Sequence, residues 1–380
     1  MTKKTSDKKI CNKITGTGVW TPKNSISNEQ LVDTFNKYVD QFNSQNSNAI
    51  ENGEIEALLY SSSEFIEKAS GIKSRYVFAP EGILDSKIMY PMINERSENE
   101  MSLQCEISLI AAQQALQEAG CTPADIDAVI VACSNMQRAY PAISIEVQNA
   151  LGIEGFAFDM NVACASAVFA LQMATDMLTG GSVKRVLLIN PELCSAHLEF
   201  RDRDCHFIFG DACTAMIVES MHSHADIQYE VISTRCKTQF SNNIRNNFGF
   251  LALCQPESIN SRNNRFHQQG RKVFKEVVPM VAQMIQSHLE DENMSADQLA
   301  RLWLHQANLS MNELIAKKVL GREASREEAP IILDRYANTS SAGSIIAFHE
   351  NKKDLSIGSI GLLSAFGAGY SAATALLRRI

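Results

Sequence analysis

The order of apolar and polar positions predicts helices that alternate with short buried strands along the chain. In the segment Ala111–Val131, apolar residues recur at helical spacing, a polar loop follows, and a continuous apolar run ends the segment. Helical periodicity indicates an amphipathic helix on a core, whereas a short apolar run indicates a buried strand. Repeated alternation of the two predicts an α/β protein whose mixed sheets are covered by helices.

The second part of the chain repeats this pattern. The segment Val281–Leu304 has the same helix, polar loop and strand as Ala111–Val131. The segments Phe209–Val218 and Phe366–Ala375 both start with Phe-Gly, followed after three residues by Ser or Thr, then Ala and an apolar run. One matching pair could arise by chance, but two pairs in the same order favour an internal duplication.

The duplication predicts two similar α/β halves, residues 1–220 and residues 221–380. Three stretches interrupt the pattern, either because they are rich in polar residues or because they carry apolar residues between charged flanks: 38–54, 80–100 and 239–266. We interpret these stretches as surface insertions that could cover a substrate or a partner subunit.

Composition narrows the classes of function. The chain has 380 residues, 45% of them apolar, and a formal net charge of −8, which allows a large core and argues against nucleic acid as a partner. Apolar runs are too short for a membrane span, and no apolar signal-peptide core follows the charged N-terminus. The ten cysteines contain no CxxC pair, which predicts free thiols in a cytoplasmic protein. No zinc-like spacing is present, so we expect no metal.

Cys164 is the candidate nucleophile. It follows the strand-like run Phe156–Met160 and precedes a helix-forming stretch, so we expect it at a turn between strand and helix. The positive end of a helix dipole favours thiolate over thiol. The small neighbours Ala163 and Ala165 leave the sulfur open to a substrate.

A histidine and an asparagine of the second half complete the candidate site. His305 directly follows the predicted strand Arg301–Leu304, and Asn338 lies in the turn Tyr336–Gly343, which is rich in Ser, Thr and Gly. Loops at strand ends commonly carry reactive groups in α/β scaffolds. We therefore expect Cys164, His305 and Asn338 to meet where the two halves join.

Six short motifs together resemble the β-ketoacyl-acyl-carrier-protein synthase III family of the thiolase superfamily. In chain order they are Gly71–Arg75, Ala163–Ala165, Phe209–Asp211, His305–Asn308, Asn338–Ser340 and Phe366–Tyr370. The resemblance runs from Ile14 to the C-terminus. It implies a thiolase-like fold, in which two duplicated α/β halves form a five-layer αβαβα arrangement, usually as a homodimer.

The resemblance also implies a reaction. A decarboxylating condensing enzyme of fatty acid biosynthesis would move an acyl group from acyl-CoA to Cys164. It would then condense that group with malonyl-acyl carrier protein, giving 3-oxoacyl-acyl carrier protein, carbon dioxide and coenzyme A. The backbone N–H groups of Cys164 and Ala368 would form an oxyanion hole, and His305 and Asn338 would stabilise the enolate by hydrogen bonds. Coenzyme A thioester is a substrate, so no cofactor is expected.

Substrate contacts follow from the same resemblance. Phe65 and Ala69 stand where the family commonly has a Trp and an Arg around the adenine of coenzyme A, and Arg203 matches a second Arg of that clamp. Phe209 and Phe366 would form apolar walls near the sulfur, where a dry pocket favours loss of the carboxylate.

Two further features concern partners. Tyr140 stands where the family often has a Phe that limits the acyl pocket from the partner subunit. Lys275, Lys317 and Lys318 match a basic patch that docks the acidic carrier protein, whereas an Arg of that patch is replaced by Ser310.

Several alternatives stay open. A related condensing enzyme could use a longer donor, as a medium-chain starter synthase or in head-to-head condensation, for which Glu95, Glu98 or Glu100 could serve as a general base. A papain-like hydrolase also uses Cys, His and Asn in this chain order, but the characteristic Cys-Gly-Ser-Cys-Trp neighbourhood is missing and the duplication would be unexplained. A non-catalytic scaffold is disfavoured because all three candidate catalytic positions are intact.

Overall fold

The computed structural model describes residues 11–247, 249–258 and 260–380. The first ten residues of the predicted half 1–220 therefore lie outside the described residues. Phe248 and Ile259, which belong to the predicted insertion 239–266, lie outside them as well.

Regular elements of the described residues alternate between strands and helices. The strands are β1 (Lys13–Trp20), β2 (Ser25–Ser27), β3 (Ser74–Tyr76), β4 (Ala128–Ala132), β5 (Phe156–Met160), β6 (Arg185–Leu193), β7 (Asp211–Glu219), β8 (Tyr229–Ser241), β9 (Ile244–Arg245), β10 (His267–Gln268), β11 (Leu299–Leu304), β12 (Ile360–Gly367) and β13 (Gly369–Arg379). The helices are α1 (Asn28–Gln45), α2 (Ser47–Glu51), α3 (Ser63–Ser70), α4 (Pro80–Ile83), α5 (Leu103–Ala119), α6 (Ile143–Leu151), α7 (Ser166–Thr179), α8 (Gly270–Asp291), α9 (Leu309–Leu320), α10 (Leu333–Tyr336) and α11 (Ala342–Glu350).

The main sheet has nine strands in the order β11-β12-β13-β8-β1-β7-β6-β4-β5. Outward from the β1–β8 junction, both directions show the same pairings. β7 pairs antiparallel with β1 and β6, and β6 pairs parallel with β4; likewise β13 pairs antiparallel with β8 and β12, and β12 pairs parallel with β11. This matching order is the topology expected of a duplicated α/β unit. The predicted boundary between residues 220 and 221 falls in the connection from β7 to β8 and stays a prediction.

Helices divide the core into layers. Helices α7 and α11 lie in the middle, in one apolar cluster with residues of both parts of the sheet, such as Ile130 and Leu363. On the outer face of the first part, α5 and α6 pack on alternate strand residues such as Val129 and Val131. On the outer face of the second part, α8 and α9 pack on β11 to β13. Because successive strand residues face opposite sides, central strands such as β4 and β12 are buried on both faces. The five-layer fold class is confirmed.

The segment predicted as an insertion at 38–54 is largely helical. Helix α1 runs to Gln45 and is followed by α2, and the α1 side chains Leu31, Phe35 and Val39 are buried. Their four-residue spacing places them on one face of α1, which packs in a fourth apolar cluster with residues of the 194–209 segment and Phe266. This cluster lies beside the cavity described below. The stretch is therefore helical but lies mostly at the surface, and its interpretation as an insertion stays a prediction.

Candidate active site

Cys164, His305 and Asn338 all line one cavity of about 740 Å³. They come from three places in the fold: the turn between β5 and α7, the residue directly after β11, and the turn between α10 and α11. The predicted convergence of the three side chains at the junction of the two halves is therefore present. A cavity of this size is within the range of about 300–1,000 Å³ that holds small-molecule ligands.

A tight turn holds Cys164 two residues before α7. The amides of Ala165 and Ser166 donate to the carbonyls of Val162 and Ala163, both at 3.1 Å. Ala163 has a φ of +48°, a region that non-glycine residues enter at a cost and that often marks functional sites. The turn presents the half-buried Cys164 to the cavity.

Burial raises the pKa of the Cys164 thiol to about 11, and the nearby Glu192 carboxylate acts in the same direction. The Ser340 hydroxyl and the N–H groups of Cys164 and Ala368, which face the sulfur, oppose this effect and lower the pKa. Desolvation of the sulfur outweighs these donors. The thiol form therefore dominates near neutral pH, in contrast to the thiolate expected from the helix dipole alone.

The two predicted oxyanion donors converge on the sulfur. The backbone N–H groups of Cys164 and Ala368 both face Sγ, and Ala368 keeps a negative φ. Gly367 makes this approach possible, because a Cβ on it would lie 2.7 Å from the Cβ of Cys164. The carbonyl oxygen of an acyl group on Sγ would lie beside these two donors, as an oxyanion hole requires.

His305 is held rigidly and is uncharged. Only 2% of His305 is exposed, and its backbone amide donates to the Ser364 carbonyl at 2.8 Å. Its ring packs edge-on against the Phe366 ring, with 5.0 Å between the ring centres. Burial lowers the pKa of His305 to about 4, although the neighbouring Ser340 carbonyl acts in the opposite direction. The imidazole is therefore neutral at physiological pH and can donate one hydrogen bond.

Backbone hydrogen bonds join Asn338 to the first half, and a further hydrogen bond orients its side chain. Its amide donates to the Ile208 carbonyl at 3.0 Å, and its carbonyl accepts from the Gly210 amide at 3.1 Å. Its Oδ1 accepts from the Ser340 amide at 2.9 Å. Because Oδ1 is engaged, the Nδ2 group is the part of the side chain available to donate into the cavity.

Two residues close to the Cys164 sulfur were not predicted. Ser340 belongs to the Asn338–Ser340 motif, of which only Asn338 was predicted to act. Glu192 is 1% exposed and accepts from the amides of Ser134 and Ser341 at 3.0 and 3.1 Å, which ties the segment after β4 to the start of α11. A carboxylate at the end of the apolar run of β6 was the available signal, since buried charges need such partners.

The predicted apolar walls line the cavity, but the predicted adenine clamp is closed. Phe65, Phe209 and Phe366 line the cavity. The Arg203 guanidinium lies 3.9 Å from the centre of the Phe65 ring, its Nε donates to the Tyr60 carbonyl at 2.7 Å, and it does not line the cavity. Arg203 therefore covers the ring face that was expected to meet an adenine.

Only one of the residues predicted to face a partner lines the cavity. Tyr140 is 85% exposed and does not line the cavity of its own chain. Lys275 lines the cavity, together with Arg271, which was not predicted. Lys317 and Lys318 do not; they lie at the end of α9 opposite to its cavity-lining residues, and Lys317 pairs with Glu323 at 2.6 Å. Their predicted role in docking stays a prediction.

The described part of the chain offers neither a cluster of metal ligands nor a membrane-spanning helix. No group of three His, Cys, Asp or Glu side chains in it could hold a metal ion. None of its helices combines the length and the apolar composition needed to cross a membrane.

A duplicated five-layer α/β fold, with Cys, His and Asn around a cavity between the halves, defines a thiolase-fold enzyme. Two family models match the chain: 3-oxoacyl-[acyl-carrier-protein (ACP)] synthase III over residues 158–239, and the C-terminal model of the same family over residues 289–379. The chain belongs to this family and is a condensing acyltransferase of fatty acid biosynthesis. The predicted family and enzyme class are confirmed.

Individual relatives agree with this assignment. A β-ketodecanoyl-[acyl-carrier-protein] synthase of Pseudomonas aeruginosa is 57% identical over 92% of this chain and 100% of its own length. A β-ketoacyl-[acyl-carrier-protein] synthase III of Agrobacterium fabrum is 32% identical over 86% of this chain and 94% of its own. The crystal structure of the synthase III from Aquifex aeolicus superimposes with a TM-score of 0.74 at 26% identity, covering 97% of this chain and 99% of that chain.

Proposed function

We propose that this chain condenses an octanoyl group, supplied as a coenzyme A thioester, with malonyl-acyl carrier protein. The products are 3-oxodecanoyl-acyl carrier protein, carbon dioxide and coenzyme A. The relative from Pseudomonas aeruginosa is named for a ketodecanoyl product; since the malonyl unit adds two carbons, such a product needs an eight-carbon primer. The observation that carries the chemistry is the shared cavity of Cys164, His305 and Asn338.

In the first half-reaction, Cys164 takes the acyl group. The thiol loses its proton, the sulfur attacks the thioester carbon, and the resulting oxyanion accepts from the N–H groups of Cys164 and Ala368. Collapse of the intermediate breaks the bond to the coenzyme A sulfur, which leaves with the electron pair and takes up a proton. Two preorganised donors at a developing oxyanion are a large catalytic effect in acyl transfer.

In the second half-reaction, His305 and Asn338 stabilise an enolate. Loss of carbon dioxide from the malonyl thioester leaves its electron pair on the adjacent carbon, and an imidazole N–H and the Asn338 Nδ2 group donate to the thioester oxygen. No base is needed, because decarboxylation itself creates the carbanion. The carbanion attacks the acyl carbon on Cys164, and the sulfur leaves as a thiolate that is protonated.

The contacts of the three side chains favour condensation over hydrolysis. A papain-like site needs an imidazole paired with the thiol and an Asn that orients the imidazole. Here the Asn338 Oδ1 accepts from the Ser340 amide instead, and no hydrogen bond between described residues joins His305 to Cys164. Head-to-head condensation has less support, because Glu95, Glu98 and Glu100 are exposed and do not line the cavity of their own chain.

Binding of coenzyme A requires Arg203 to move. Carbon atoms in contact lie about 3.5–4.0 Å apart, so an adenine between Phe65 and Arg203 needs roughly twice the present separation. Arg203 is held by the Tyr60 carbonyl on an exposed segment, and rotation of this side chain would open the ring face of Phe65. Adenine then binds between a phenyl ring and a guanidinium.

The carrier protein docks at the cavity mouth on Arg271 and Lys275. Both side chains are exposed, they lie one helical turn apart on α8, and neither makes a salt bridge with any described residue. Unpaired cations beside a site steer an acidic partner toward it. The enzyme forms a homodimer, for which the half-exposed Phe156 on the sheet-edge strand β5 and the exposed Tyr140 offer an apolar surface.

A scan of donor length tests the proposal. The purified enzyme is incubated with malonyl-acyl carrier protein and each even-numbered acyl-CoA from acetyl to dodecanoyl, and the 3-oxoacyl products are measured by mass spectrometry. We expect the highest kcat/KM with octanoyl-CoA and an octanoyl adduct on the peptide of Cys164. A preference for acetyl-CoA, or an adduct on another cysteine, would contradict the proposal. Cys164→Ala is the control for background acylation.

A further inference from the structure

Three different groups of Ser340 face the three candidate catalytic side chains. Its amide donates to the Asn338 Oδ1 at 2.9 Å. Its carbonyl lies beside the His305 ring, and its hydroxyl faces the Cys164 Sγ atom. One residue of the Asn338 turn therefore sits between the nucleophile and the two groups that stabilise the enolate.

The backbone at this position favours glycine, yet the residue carries a hydroxyl. The φ of Ser340 is +50°, in the left-handed region where glycine is the least costly residue and serine is uncommon. Amide and carbonyl contacts would survive a glycine. The hydroxyl is the group that a glycine would lose, so the observed residue points to a use for it.

The hydroxyl has no competing partner. Ser340 is 2% exposed, and its Oγ is a buried polar atom that forms no hydrogen bond with any described group, the Cys164 thiol included. Buried hydroxyls in folded proteins nearly always have a partner, and an exception calls for an explanation. The sulfur of Cys164, once ionised, is the acceptor that this hydroxyl faces.

We propose that Ser340 is a fourth catalytic residue, whose hydroxyl donates a hydrogen bond to the Cys164 sulfur whenever that sulfur carries negative charge. This happens twice in the proposed cycle. In acylation, the sulfur gives up its proton and forms its bond to the acyl carbon while the donor carbon–sulfur bond breaks and the coenzyme A sulfur is protonated. In condensation, the bond between Sγ and the acyl carbon breaks and the sulfur leaves with the electron pair.

The surroundings of the sulfur make such a donor useful. Glu192 on β6 is the charged group that acts on Sγ, and it disfavours the thiolate; burial does so as well. The other titratable groups near this part of the site are the Cys194 thiol and the neutral His305. No cation acts on the sulfur among these groups. Neutral donors, namely the Ser340 hydroxyl and two backbone N–H groups, are therefore what favours its ionised form.

Alkylation of Cys164 by iodoacetamide tests the hydrogen bond without any acyl donor. The inference rests on the proposed function, because that function defines the acyl transfer in which the sulfur becomes charged. Alkylation depends on the sulfur alone, so the inference and the proposed function can fail separately. Rates are followed from pH 7 to 9.5 on the Cys164 peptide by mass spectrometry, because Cys11 and Cys254 are also exposed. The variants are Ser340→Ala, which keeps the backbone preference of a non-glycine residue, and Ser340→Gly, which relieves it.

Both variants are expected to alkylate more slowly than the wild type at every pH, with the same slope against pH. Loss of a hydrogen bond to a charged group reduces the thiolate fraction by at least about tenfold, and the greater nucleophilicity of a more basic thiolate offsets part of this, so the net loss is about three- to tenfold. The matched control is Ser344→Ala, which removes another fully buried hydroxyl without a partner from the same segment and should alkylate like the wild type.

A second measurement separates catalysis from support of the loop. In a Cys164→Ala background, decarboxylation of malonyl-acyl carrier protein depends on His305 and Asn338 and not on the sulfur. Adding Ser340→Ala should leave this rate unchanged, because the backbone groups of residue 340 remain. Alkylation rates equal to the wild type in both variants would overturn the proposal. A parallel loss of decarboxylation would also overturn it, since the hydroxyl would then only support the loop.

Discussion

The two halves of the molecule place their key residues at equivalent positions but use them differently. Cys164 lies in the turn before α7, and Asn338 lies in the turn before α11, the two helices of the middle layer. Each is preceded by an alanine with a positive φ, Ala163 with a φ of +48° and Ala337 with a φ of +55°. One duplicated turn thus carries the nucleophile and the other carries a hydrogen-bond donor.

The Phe-Gly pairs that revealed the duplication lie against the catalytic turn of the opposite half. A Cβ on Gly367 of the second half would lie 2.7 Å from the Cβ of Cys164. A Cβ on Gly210 of the first half would lie 2.3 Å from the carbonyl oxygen of Tyr336, two residues before Asn338. Each half therefore packs a side-chain-free position against the reactive turn of the other.

This reciprocal packing of the two halves explains how one scaffold supports two half-reactions. A thiol can form and release a covalent bond to the acyl group, whereas a carboxamide can only donate or accept hydrogen bonds. Equivalent turns keep both groups at one cavity, and the chemistry differs because the residues differ. Variants that affect one turn and not the other should therefore separate acyl transfer from decarboxylation.

Cys164→Ala should separate acyl transfer from decarboxylation most strongly. Acyl transfer and overall condensation should fall by a factor on the order of 10⁴ or more, because the covalent intermediate cannot form. Decarboxylation of malonyl-acyl carrier protein should persist, since its donors are intact. Acyl-enzyme formation is measured by mass spectrometry and decarboxylation by carbon dioxide release. Loss of both activities in a folded variant would show that the two turns do not act independently.

Asn338→Ala should give the opposite result with a smaller effect. Removing one donor from an oxyanion site costs about 10²–10³ in rate, so we expect a loss of this size in decarboxylation and in condensation. Formation of the acyl-enzyme should change little, because the N–H groups of Cys164 and Ala368 remain. The same two assays measure the effect. An equal loss of acylation would show that Asn338 serves the first half-reaction as well.

The two Phe-Gly turns allow a weaker and more local test. Gly367→Ala should slow acylation by about ten- to a hundredfold because the added methyl group displaces Cys164, and Gly210→Ala should slow decarboxylation similarly by displacing Asn338. Each should lower the free energy of unfolding by about 1–3 kcal/mol, as overpacking does. Gly249→Ala is the control, since a Cβ there meets nothing within 4 Å. Identical kinetic profiles for Gly367→Ala and Gly210→Ala would contradict the reciprocal packing of the two halves.

The sequence allowed the fold and the three catalytic side chains to be predicted because their signals are local. Apolar runs mark the strands before Cys164 and His305, and the order of the motifs indicates the family. The helical character of residues 38–45 was missed because Asn, Gln and Ser dominate there. The buried face of α1, formed by Leu31, Phe35 and Val39, begins before this stretch and carries the helix through it.

Features that depend on contact between distant segments could not be predicted. The hydroxyl of Ser340 faces Cys164 because two turns from different halves meet, and no local pattern encodes that approach. Stacking of Arg203 on Phe65 joins residues that are far apart in the chain. The high pKa of the Cys164 thiol follows from its burial in the folded protein, whereas the sequence revealed only the helix that follows the cysteine.

The smallest expected effect concerns the two groups of basic residues on the outer layer of the second half. Arg271 and Lys275 line the cavity mouth, whereas Lys317 and Lys318 lie about 10 Å along α9 from its cavity-lining residues, given a rise of about 1.5 Å per residue. Exposed charges at a docking rim contribute about 0.2–1 kcal/mol each, so Arg271→Ala with Lys275→Ala should raise the KM for malonyl-acyl carrier protein about two- to thirtyfold.

Salt should remove this difference, because screening weakens rim electrostatics. The matched control is the double variant Lys317→Ala with Lys318→Ala, which should leave KM within about twofold because each charge contributes little away from the interface. KM is measured at low and high ionic strength with an acyl-CoA held at saturation, which isolates the carrier-protein step. A larger change in the control pair would place the docking surface along α9, and the carrier would then approach Asn338 from the side of α9.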